Sequence, residues 1–389
     1  MQDLAVVGAG PAGLLAAARC AQAGLTVTVL EEHERIGEPT HCTGIISVET
    51  ARLAGTSDEI LLTSLDRARF HGPGATLCEM EWDGPAGERI HAIDRAAFDR
   101  ELAAKALRAG VALETGARVE RIAVDRDGVE LQVGSRRVRA RACVLAAGVS
   151  YRFQRQLGLG LPAEVAHTAQ IEVDVAAAEP HTVELHVGRE VAPGGFLWAV
   201  PTGTNGHQRL KIGALVRGDA AASLRRFLER PAMRARLLAP PPAPRLRLLP
   251  LKPIARTWCD RVLAVGDAGG FTKPTTGGGI FFSLVTASLA AETFIEGFRR
   301  GRLDGAFLSR YERRWRAKLG SELRIAAWLR SLLTVLTDSD VEALIRVVST
   351  RDVQGVIRTT AHFNWHRDVI LALLRERSVA RLLFRSVTA

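Results

Sequence analysis

The sequence predicts an α/β protein whose first sheet is interrupted by a β-rich lobe and followed by a helical region. Three observations lead to this class. A short apolar strand, a glycine turn and an apolar helix open the chain, and a second strand–turn–helix unit begins near Arg261. Short alternating segments fill residues 165–216. From Asp304 to the end the spacing is helical, without strand signals.

The opening unit has the order strand, helix, strand. Asp3 to Gly8 is apolar and short, as expected of a buried strand, and Leu14 to Ala23 has helical apolar spacing that stops at Gly24. Leu25 to Leu30 is a second apolar strand. The pattern predicts a βαβ unit with parallel strands.

The middle of the chain predicts a helix from Asp94 to Ala109, then a small meander and a buried strand from Ala142 to Ala147. The meander strands are predicted at residues 111–114, 118–124, 128–133 and 136–139. Residues 239–245 are expected to form a proline-rich linker or surface loop, followed by the strand Arg261 to Val265 and a long helix from about Gly279. The two apolar units are expected in one discontinuous domain, residues 1–70, 94–160 and 250–300, with a β-rich lobe (71–93 and 161–249) and a helical region (301–389).

Composition narrows the functional classes. The 389 residues carry 52 Lys and Arg against 42 Asp and Glu, a net charge of +10 that favours phosphate or anionic lipid partners. No nucleic-acid module accompanies this charge. The five cysteines are scattered, which predicts neither disulfides nor a metal site and favours a reducing compartment. The longest apolar stretch, near residues 279–295, is broken by Ser and Thr, so we expect a cytoplasmic protein that does not cross a membrane.

The glycine turn has the spacing of a dinucleotide site. Gly8 allows a tight turn, Gly10 lets backbone N–H groups approach a pyrophosphate, and Gly13 permits close helix–strand packing. Glu31 (or the adjacent Glu32) ends the second strand, where a carboxylate accepts ribose hydroxyls and repels a 2′-phosphate. This context predicts a Rossmann-like domain for FAD or NAD.

The segment from Asp260 to Ile280, "DRVLAVGDAGGFTKPTTGGGI", distinguishes between these dinucleotides. It resembles the FAD domain of the para-hydroxybenzoate hydroxylase type. Its motif "GD-x-x-GF-x-x-P-x-TGGGI" is similar to that of the geranylgeranyl reductase family. Three further segments agree: "GEPTHCTGIIS" from Gly37, "DRAAFDREL" from Asp94, and "P-x-x-F-x-W-x-V-P" from Pro193. The resemblance spans about residues 3 to 300.

The resemblance implies FAD as cofactor and a prenyl chain as substrate. Together with the glycine turn, it implies these cofactor-binding residues: Gly8, Gly10, Ala12, Gly13, Glu31, Cys42, Thr43, Ile45, Arg95, Val119, Asp267, Gly279 and Ile280. Aromatic residues in or beside the motifs are candidates for a substrate tunnel, with core packing as the alternative: Phe196, Trp198, Phe271, Phe281 and Phe282.

Two positions depart from the family pattern. Phe196 stands where the family signature has Tyr, so no phenol is available there. Ala147 precedes Gly148 where the related hydroxylases have Asp, a residue linked to nicotinamide binding. No second glycine motif is present, so the reductant is NAD(P)H bound transiently, or ferredoxin.

The leading interpretation is FAD-dependent reduction of isolated C=C bonds in a geranylgeranyl chain, which needs an oriented alkene, a flavin hydride and a proton. Cys42 is the candidate nearest the flavin, either assisting proton delivery or only shaping the pocket. His41 is a possible proton relay, and Lys273 a phosphate ligand or a solvated turn residue. The C-terminal helices mix Trp, Leu and Arg, which permits peripheral membrane contact. We expect a monomer.

Three other functions share some of these features. A flavin hydroxylase of aromatic or polyketide compounds is disfavoured by Ala147 and Phe271. A halogenase needs an early lysine, yet the first of the five lysines is Lys105. An electron-transfer flavoprotein would expose its flavin edge instead of enclosing an apolar tunnel.

Overall fold

The computed structural model of the protein describes residues 1–82, 89–204 and 206–388, with side chains described through residue 383. The strands are β1 Gln2–Val7, β2 Val27–Leu30, β3 Ile45–Ser47, β4 Leu61–Leu65, β5 Arg67–His71, β6 Leu77–Glu81, β7 Ile90–Ile93, β8 Ala112–Glu114, β9 Val119–Val124, β10 Val129–Val133, β11 Arg136–Leu145, β12 Val165–Asp174, β13 Thr182–Val187, β14 Phe196–Pro201, β15 Arg209–Val216, β16 Arg245–Pro250, β17 Trp258–Cys259 and β18 Val262–Ala264. The α-helices are α1 Pro11–Gln22, α2 Val48–Ala54, α3 Arg95–Arg108, α4 Arg152–Gln156, α5 Ala220–Glu229, α6 Pro231–Arg234, α7 Ile280–Arg299, α8 Gly305–Leu333, α9 Asp338–Val348, α10 Arg351–Thr360, α11 Arg367–Arg375 and α12 Arg377–Thr388.

The first sheet is mainly parallel. Its strands lie in the order β17, β18, β11, β1, β2, β8, and only β17 is antiparallel to its neighbour on this path. The opening unit and the strand near residue 262 therefore share a sheet although some 120 residues separate β11 from β18 in the chain. The predicted Rossmann-like α/β arrangement is confirmed.

Both faces of this sheet are buried, which explains its nearly continuous apolar strands. Leu4 and Val6 face a core formed with α1, α3, α7 and α8. Ala5 and Val7 face the opposite way, toward the β9–β10 hairpin and Phe153. Since successive side chains of a strand alternate between faces, each apolar run serves two cores at once.

One predicted boundary is wrong. The sequence suggested two strands, residues 136–139 and Ala142 to Ala147, but β11 runs unbroken from Arg136 to Leu145. Its first half pairs antiparallel with β10, and its second half pairs parallel with β1. The polar-to-apolar change near Ala140 marks the passage into the buried sheet, not a break in the strand.

The second sheet has seven strands in the order β16, β12, β15, β14, β13, β5, β6. It includes β5, which begins at Arg67, whereas the expected lobe began at residue 71. Strand β7, expected in the lobe, instead pairs with β3 and β4 in a third, three-stranded sheet. We therefore propose that the lobe comprises residues 67–82 and 161–250.

In the described part of the chain from Asp304 onward, the only regular elements are the helices α8 to α12, joined by short connections. Helix α7, just before it, is long and apolar enough to span a membrane, but 72% of its apolar window is buried inside the fold. A core helix meets the same criterion, and α7 packs against α1 and α8 as such a helix does.

A buried polar cluster lies on the outer face of the second sheet. The rings of His71 and His186 stack with centroids 4.3 Å apart, and Glu184 accepts two hydrogen bonds from Arg236 at 2.8 and 2.9 Å. The ligand atoms of His71, Glu184 and His186 lie within 4.8 Å of one another. Because Arg236 occupies both carboxylate oxygens and adds positive charge, the cluster favours neutral imidazoles over a bound cation.

We predict that this cluster makes stability depend on pH. Burial, helped by His186 and opposed by Glu184, lowers the pKa of His71 to about 4. The unfolded imidazole titrates near 6.5, so the unfolded state takes up a proton first, and stability present above pH 6.5 is lost as the pH falls toward 4. His71→Asn should remove about 2 kcal/mol of the wild-type loss in unfolding free energy between pH 7 and pH 4.5, measured by urea titration. His181→Asn, an exposed histidine, is the control; equal slopes for all three proteins would contradict the prediction.

Candidate active site

A cavity of about 1230 Å³ lies where three parts of the chain meet. Its walls are the carboxyl ends of the first-sheet strands, one face of the second sheet, and the helices α8 to α11. Ligand sites in parallel α/β sheets lie at this edge, where the loops after the strands diverge. The volume exceeds that of a single small-molecule site, which is typically ~300–1,000 Å³. It therefore has room for a cofactor and a second molecule.

The glycine turn forms one end of the cavity. Gly8 has φ +102°, and a Cβ there would lie 2.5 Å from the Ala146 carbonyl oxygen. A Cβ on Gly13 would lie 2.0 Å from the Gly8 oxygen, so α1 starts directly on the strand end. At Gly10 a Cβ would meet nothing within 4 Å, because it points into open space. The first N–H groups of α1 face that space without a side-chain cap, which suits a pyrophosphate.

Glu31 lies at the end of β2 and lines the cavity. Its carboxylate accepts the Ala9 N–H at 2.6 Å and the His33 N–H at 3.1 Å, which ties the strand end to the glycine turn. Glu32 also lines the cavity but is half-exposed and pairs with Arg118 at 3.5 Å. The His33 ring nitrogen Nδ1 also lies 2.5 Å from this carboxylate. A carboxylate has about four lone-pair sites and retains one after three such contacts, so the geometry favours Glu31 as the ribose ligand.

Asp267 and the start of α7 lie beside the glycine turn, since a Cβ on Gly266 would lie 3.1 Å from the Ala12 side chain. Asp267 follows β18 in a short 3₁₀ turn, and its backbone carbonyl accepts the Tyr151 hydroxyl at 2.9 Å. Among the described residues no hydrogen bond reaches its carboxylate, which lines the cavity. Burial raises the pKa of this carboxyl, while the charges of Arg247 and Arg95 oppose the rise. Gly279 and Ile280, at the uncapped start of α7, line the same wall.

Residues 42–44 form a turn, called here the cysteine turn, whose position is fixed by contacts with the second sheet. The Gly44 N–H lies 3.4 Å from the Cys42 sulfur, and the Thr43 hydroxyl donates to Gln170 at 2.7 Å. The buried ammonium of Lys211 donates to the Thr43 carbonyl at 3.2 Å. Cys42, Thr43 and Ile45 therefore reach the cavity from a turn whose position depends on β12 and β15.

Arg95 and Val119 complete the predicted cofactor contacts. Arg95 begins α3, which Asp94 caps, and it pairs with Asp99 one turn later. The backbone carbonyl of Val119 accepts a hydrogen bond from Arg152. Every predicted cofactor residue lines the cavity except Gly13, which packs behind the turn.

The second half of the cavity is mainly apolar, although Gln354, Arg358 and His362 also line it. Phe196 and Trp198 lie on β14, and Phe281 lies on the first turn of α7; all three line the wall as predicted. The Trp198 ring lies over Gly213 on β15, where a Cβ would approach to 2.2 Å. Side chains of α8, α10 and α11 close the opposite side, among them Leu329, Ile357 and Ile370.

Two predicted tunnel residues lie elsewhere. Phe271 and Phe282 are fully buried in the first-sheet core and do not line the cavity. Phe271 packs edge-on against Trp315 with ring centroids 5.0 Å apart. The prediction was wrong for these two because proximity to a motif in sequence does not fix the direction of a side chain on the helix or turn.

Residues 361–366, between α10 and α11, form a segment called here the C-terminal strap, whose contacts with the first domain the sequence did not predict. Asn364 is buried and donates to Ser47 at 2.7 Å and to Glu49 at 2.9 Å, which binds the C-terminal helices to the first domain. Lys273, predicted as a phosphate ligand or solvated residue, is buried, donates to the Phe363 carbonyl at 2.5 Å and lies over that ring. Lys211, Gln170 and Asn364 belong to no motif, so only the fold brings them to the site.

Comparisons with known proteins agree with this geometry. A family model described as "FAD binding domain" matches residues 1–320. The digeranylgeranylglycerophospholipid reductase 2 of Methanopyrus kandleri is 31% identical over 375 residues, 92% of each chain. The enzyme of that name from Methanothermobacter thermautotrophicus is 32% identical over 372 residues, covering 91% of this chain and 93% of its own.

Solved structures share the fold. A geranylgeranyl bacteriochlorophyll reductase-like protein from Thermoplasma acidophilum superposes with a TM-score of 0.85 at 21% identity over 99% of both chains. The halogenase PltM superposes with a TM-score of 0.69 at 16% identity, covering 98% of this chain and 88% of its own. At these identities the superpositions describe architecture alone.

The glycine turn, the ribose carboxylate and the unpaired Asp267 fit one class of protein, the FAD-dependent oxidoreductases. The open space at Gly10, the uncapped start of α1 and the free carboxylate of Asp267 are the groups that a bound dinucleotide would satisfy. Within that class the chain belongs to the geranylgeranyl reductase family.

We predict that Asp267→Ala weakens FAD binding, because the carboxylate is placed to accept hydrogen bonds from the cofactor's hydroxyl groups. Losing one charged hydrogen-bond acceptor should raise the dissociation constant about tenfold or more, measured by fluorescence titration of the apoprotein. Asp127→Asn, on an exposed turn far from the cavity, should bind like wild type. An Asp267→Ala protein that retains FAD as tightly as wild type would refute the assignment.

Proposed function

We propose that the protein reduces isolated C=C bonds of a geranylgeranyl chain carried on a lipid, with FAD supplying the hydride. The names of the relatives support a prenyl-lipid substrate. The single observation that carries the proposal is the continuity of the cavity. One end has the features of a dinucleotide site, and the other end is lined mainly by aromatic and aliphatic side chains. A long hydrocarbon chain fits such a wall and can reach the cofactor without entering water.

The protein's contribution would be orientation and exclusion of water. An isolated alkene is not polarised, so its carbons must be held against the hydride donor while a proton reaches the second carbon. Phe196, Trp198 and Phe281 are proposed to hold the chain at the junction of the two halves. The Cys42 thiol, which lines the cavity, is proposed as a contact that shapes the flavin pocket and as a candidate proton carrier.

His41 is poorly suited to donate a stored proton at neutral pH. Burial, with the charges of Arg247 and Arg245, lowers the pKa of its imidazole, so it is neutral there. Its Nδ1 atom is buried and has no hydrogen-bond partner among the described residues. A neutral imidazole can still pass a proton between neighbours, which keeps His41 as a proposed relay.

Halogenases share the architecture, which makes halogenation the second candidate. Lys211 and Lys273 are the lysines near the cavity, and both are buried against backbone carbonyls. Neither offers a free amine in the apolar half. The lysine requirement for carrying an active halogen therefore favours the reductase.

An anaerobic reaction separates the candidate functions. Photoreduced enzyme should convert a digeranylgeranyl phospholipid to products heavier by two hydrogens per double bond, as measured by mass spectrometry. Oxygen insertion into a supplied aromatic compound, or no mass change with prenyl lipids, alcohols and diphosphates alike, would overturn the proposal. Supplying NADPH, NADH or reduced ferredoxin in place of light identifies the reductant.

Filling the proposed tunnel should slow the reaction with long chains. Ile357 on α10 lines the cavity, while Thr359 on the same helix is exposed and lies outside it. Ile357→Trp should lower kcat/KM for a geranylgeranyl substrate about tenfold or more, a cost of about 1.4 kcal/mol or more. FAD content should be unchanged. Thr359→Trp is the matched control; equal effects of both variants would place the chain elsewhere.

We also propose that the C-terminal helices contact an anionic membrane, where such a lipid resides. Exposed apolar side chains there include Trp328, Leu333 and Val335. Arginines such as Arg351 and Arg358 are exposed on α10. Apolar side chains combined with basic residues bind interfaces rich in anionic lipid.

The membrane proposal predicts cosedimentation with anionic liposomes at low salt and release at high salt, because screening weakens the attraction. Trp328→Ser with Val335→Ser should reduce the bound fraction. Leu107→Ser, an exposed apolar residue on α3, should not change it. Equal sedimentation with and without liposomes would refute membrane contact.

A further inference from the structure

Arg247 occupies an unusual position on β16. It lies opposite Thr168 of β12, and both residues line the cavity. Its guanidinium reaches the loop after β11, since a Cβ placed on Gly148 would lie 3.0 Å from Nη2. Arg247 thus belongs to the second sheet but presents its charge to the cofactor end of the cavity.

The guanidinium has no protein partner among the described residues. Arg95 pairs with Asp99, Arg118 with Glu32, and Arg152 donates to a backbone carbonyl. Arg245, two residues earlier on the same face of β16, donates to the Thr40 carbonyl. The half-buried guanidinium of Arg247 donates no hydrogen bond to a carboxylate or a carbonyl of the described residues. The residue before Gly148 is Ala147, which offers no carboxylate.

An unpaired, partly desolvated guanidinium that faces a cavity is a binding group for an anion. Burial raises the pKa values of Asp267 and Tyr151, and the charge of Arg247 opposes that rise. Burial lowers the pKa of His41, and the charge of Arg247 lowers it further. Asp267 and His41 line the cavity, and the Tyr151 hydroxyl donates to the Asp267 carbonyl, so the guanidinium acts on the wall at Asp267 and on the segment that contains His41. The uncapped start of α1 already suits a diphosphate, which leaves Arg247 available for a different negative charge.

We infer that Arg247 binds the negative charge that the flavin ring acquires on reduction. Transfer of a hydride to the oxidised ring adds one negative charge, which resides on its N1–C2=O edge. With FAD held at this wall, the Asp267 carboxylate would oppose that charge, and the Arg247 guanidinium would offset it. This inference rests on FAD binding at the site and is independent of the prenyl substrate.

Sulfite affinity tests the role directly. Sulfite donates an electron pair to flavin N5, forms an S–N bond without a leaving group, and leaves the ring with the same negative charge. Its dissociation constant therefore reports positive charge at the ring, without turnover. Arg247→Gln should weaken sulfite binding about tenfold, the effect of one lost hydrogen bond to a charged group. The two-electron potential should fall by about 30 mV, the equivalent of tenfold.

Arg247→Lys, which keeps the charge, should recover most of the sulfite affinity. Arg245→Gln, on the same face of the strand but bonded to Thr40, should match wild type. Wild-type sulfite affinity and potential in Arg247→Gln would overturn the inference. Loss of FAD from a folded Arg247→Gln protein would also overturn it, because the guanidinium would then hold the diphosphate.

Discussion

The close contact between the glycine turn and the ends of the central strands determines the position of the rest of the site. With no Cβ on Gly8 or Gly13, the turn lies directly on the strand ends, and α1 begins where β1 stops. The Gly8 N–H donates to the Leu30 carbonyl at 2.8 Å, and the Ala9 N–H to Glu31. These contacts of the glycine turn therefore fix the positions of the start of α1, the Glu31 carboxylate and one end of the cavity relative to one another.

The remaining walls come from parts of the chain that are distant in sequence. Lys211 and Gln170 hold the cysteine turn from the second sheet, and Asn364 fastens the C-terminal strap to Ser47. These are buried polar contacts, so each needs its partner in place to avoid the cost of an unsatisfied group. The lobe and the helices are thereby joined to the cofactor domain by specific contacts in addition to apolar packing.

Sequence reasoning succeeded where local chemistry determines structure. The turn at Gly8, the strand at Leu25 to Leu30 and the helix after Gly279 are each specified by neighbouring residues, and the motif order indicated the fold. It failed where a side chain's direction depends on tertiary packing. Phe271 and Phe282 lie beside cavity residues in sequence but point into the core. Lys211 and Asn364 carry no local signal, because their partners lie more than 160 residues away.

The distance along the chain between α1 and α7 has a consequence for biosynthesis. These two apolar helices bury each other, yet α7 leaves the ribosome only after the whole β-rich lobe has been made. Until then α1 lacks the surface that covers it, and an exposed apolar face invites association with other chains. The lobe has its own hydrophobic core and can fold before β18 and α7, which complete the cofactor domain, have been synthesised. The cofactor domain therefore begins first during synthesis and is completed only near residue 300, which prolongs the exposure of α1.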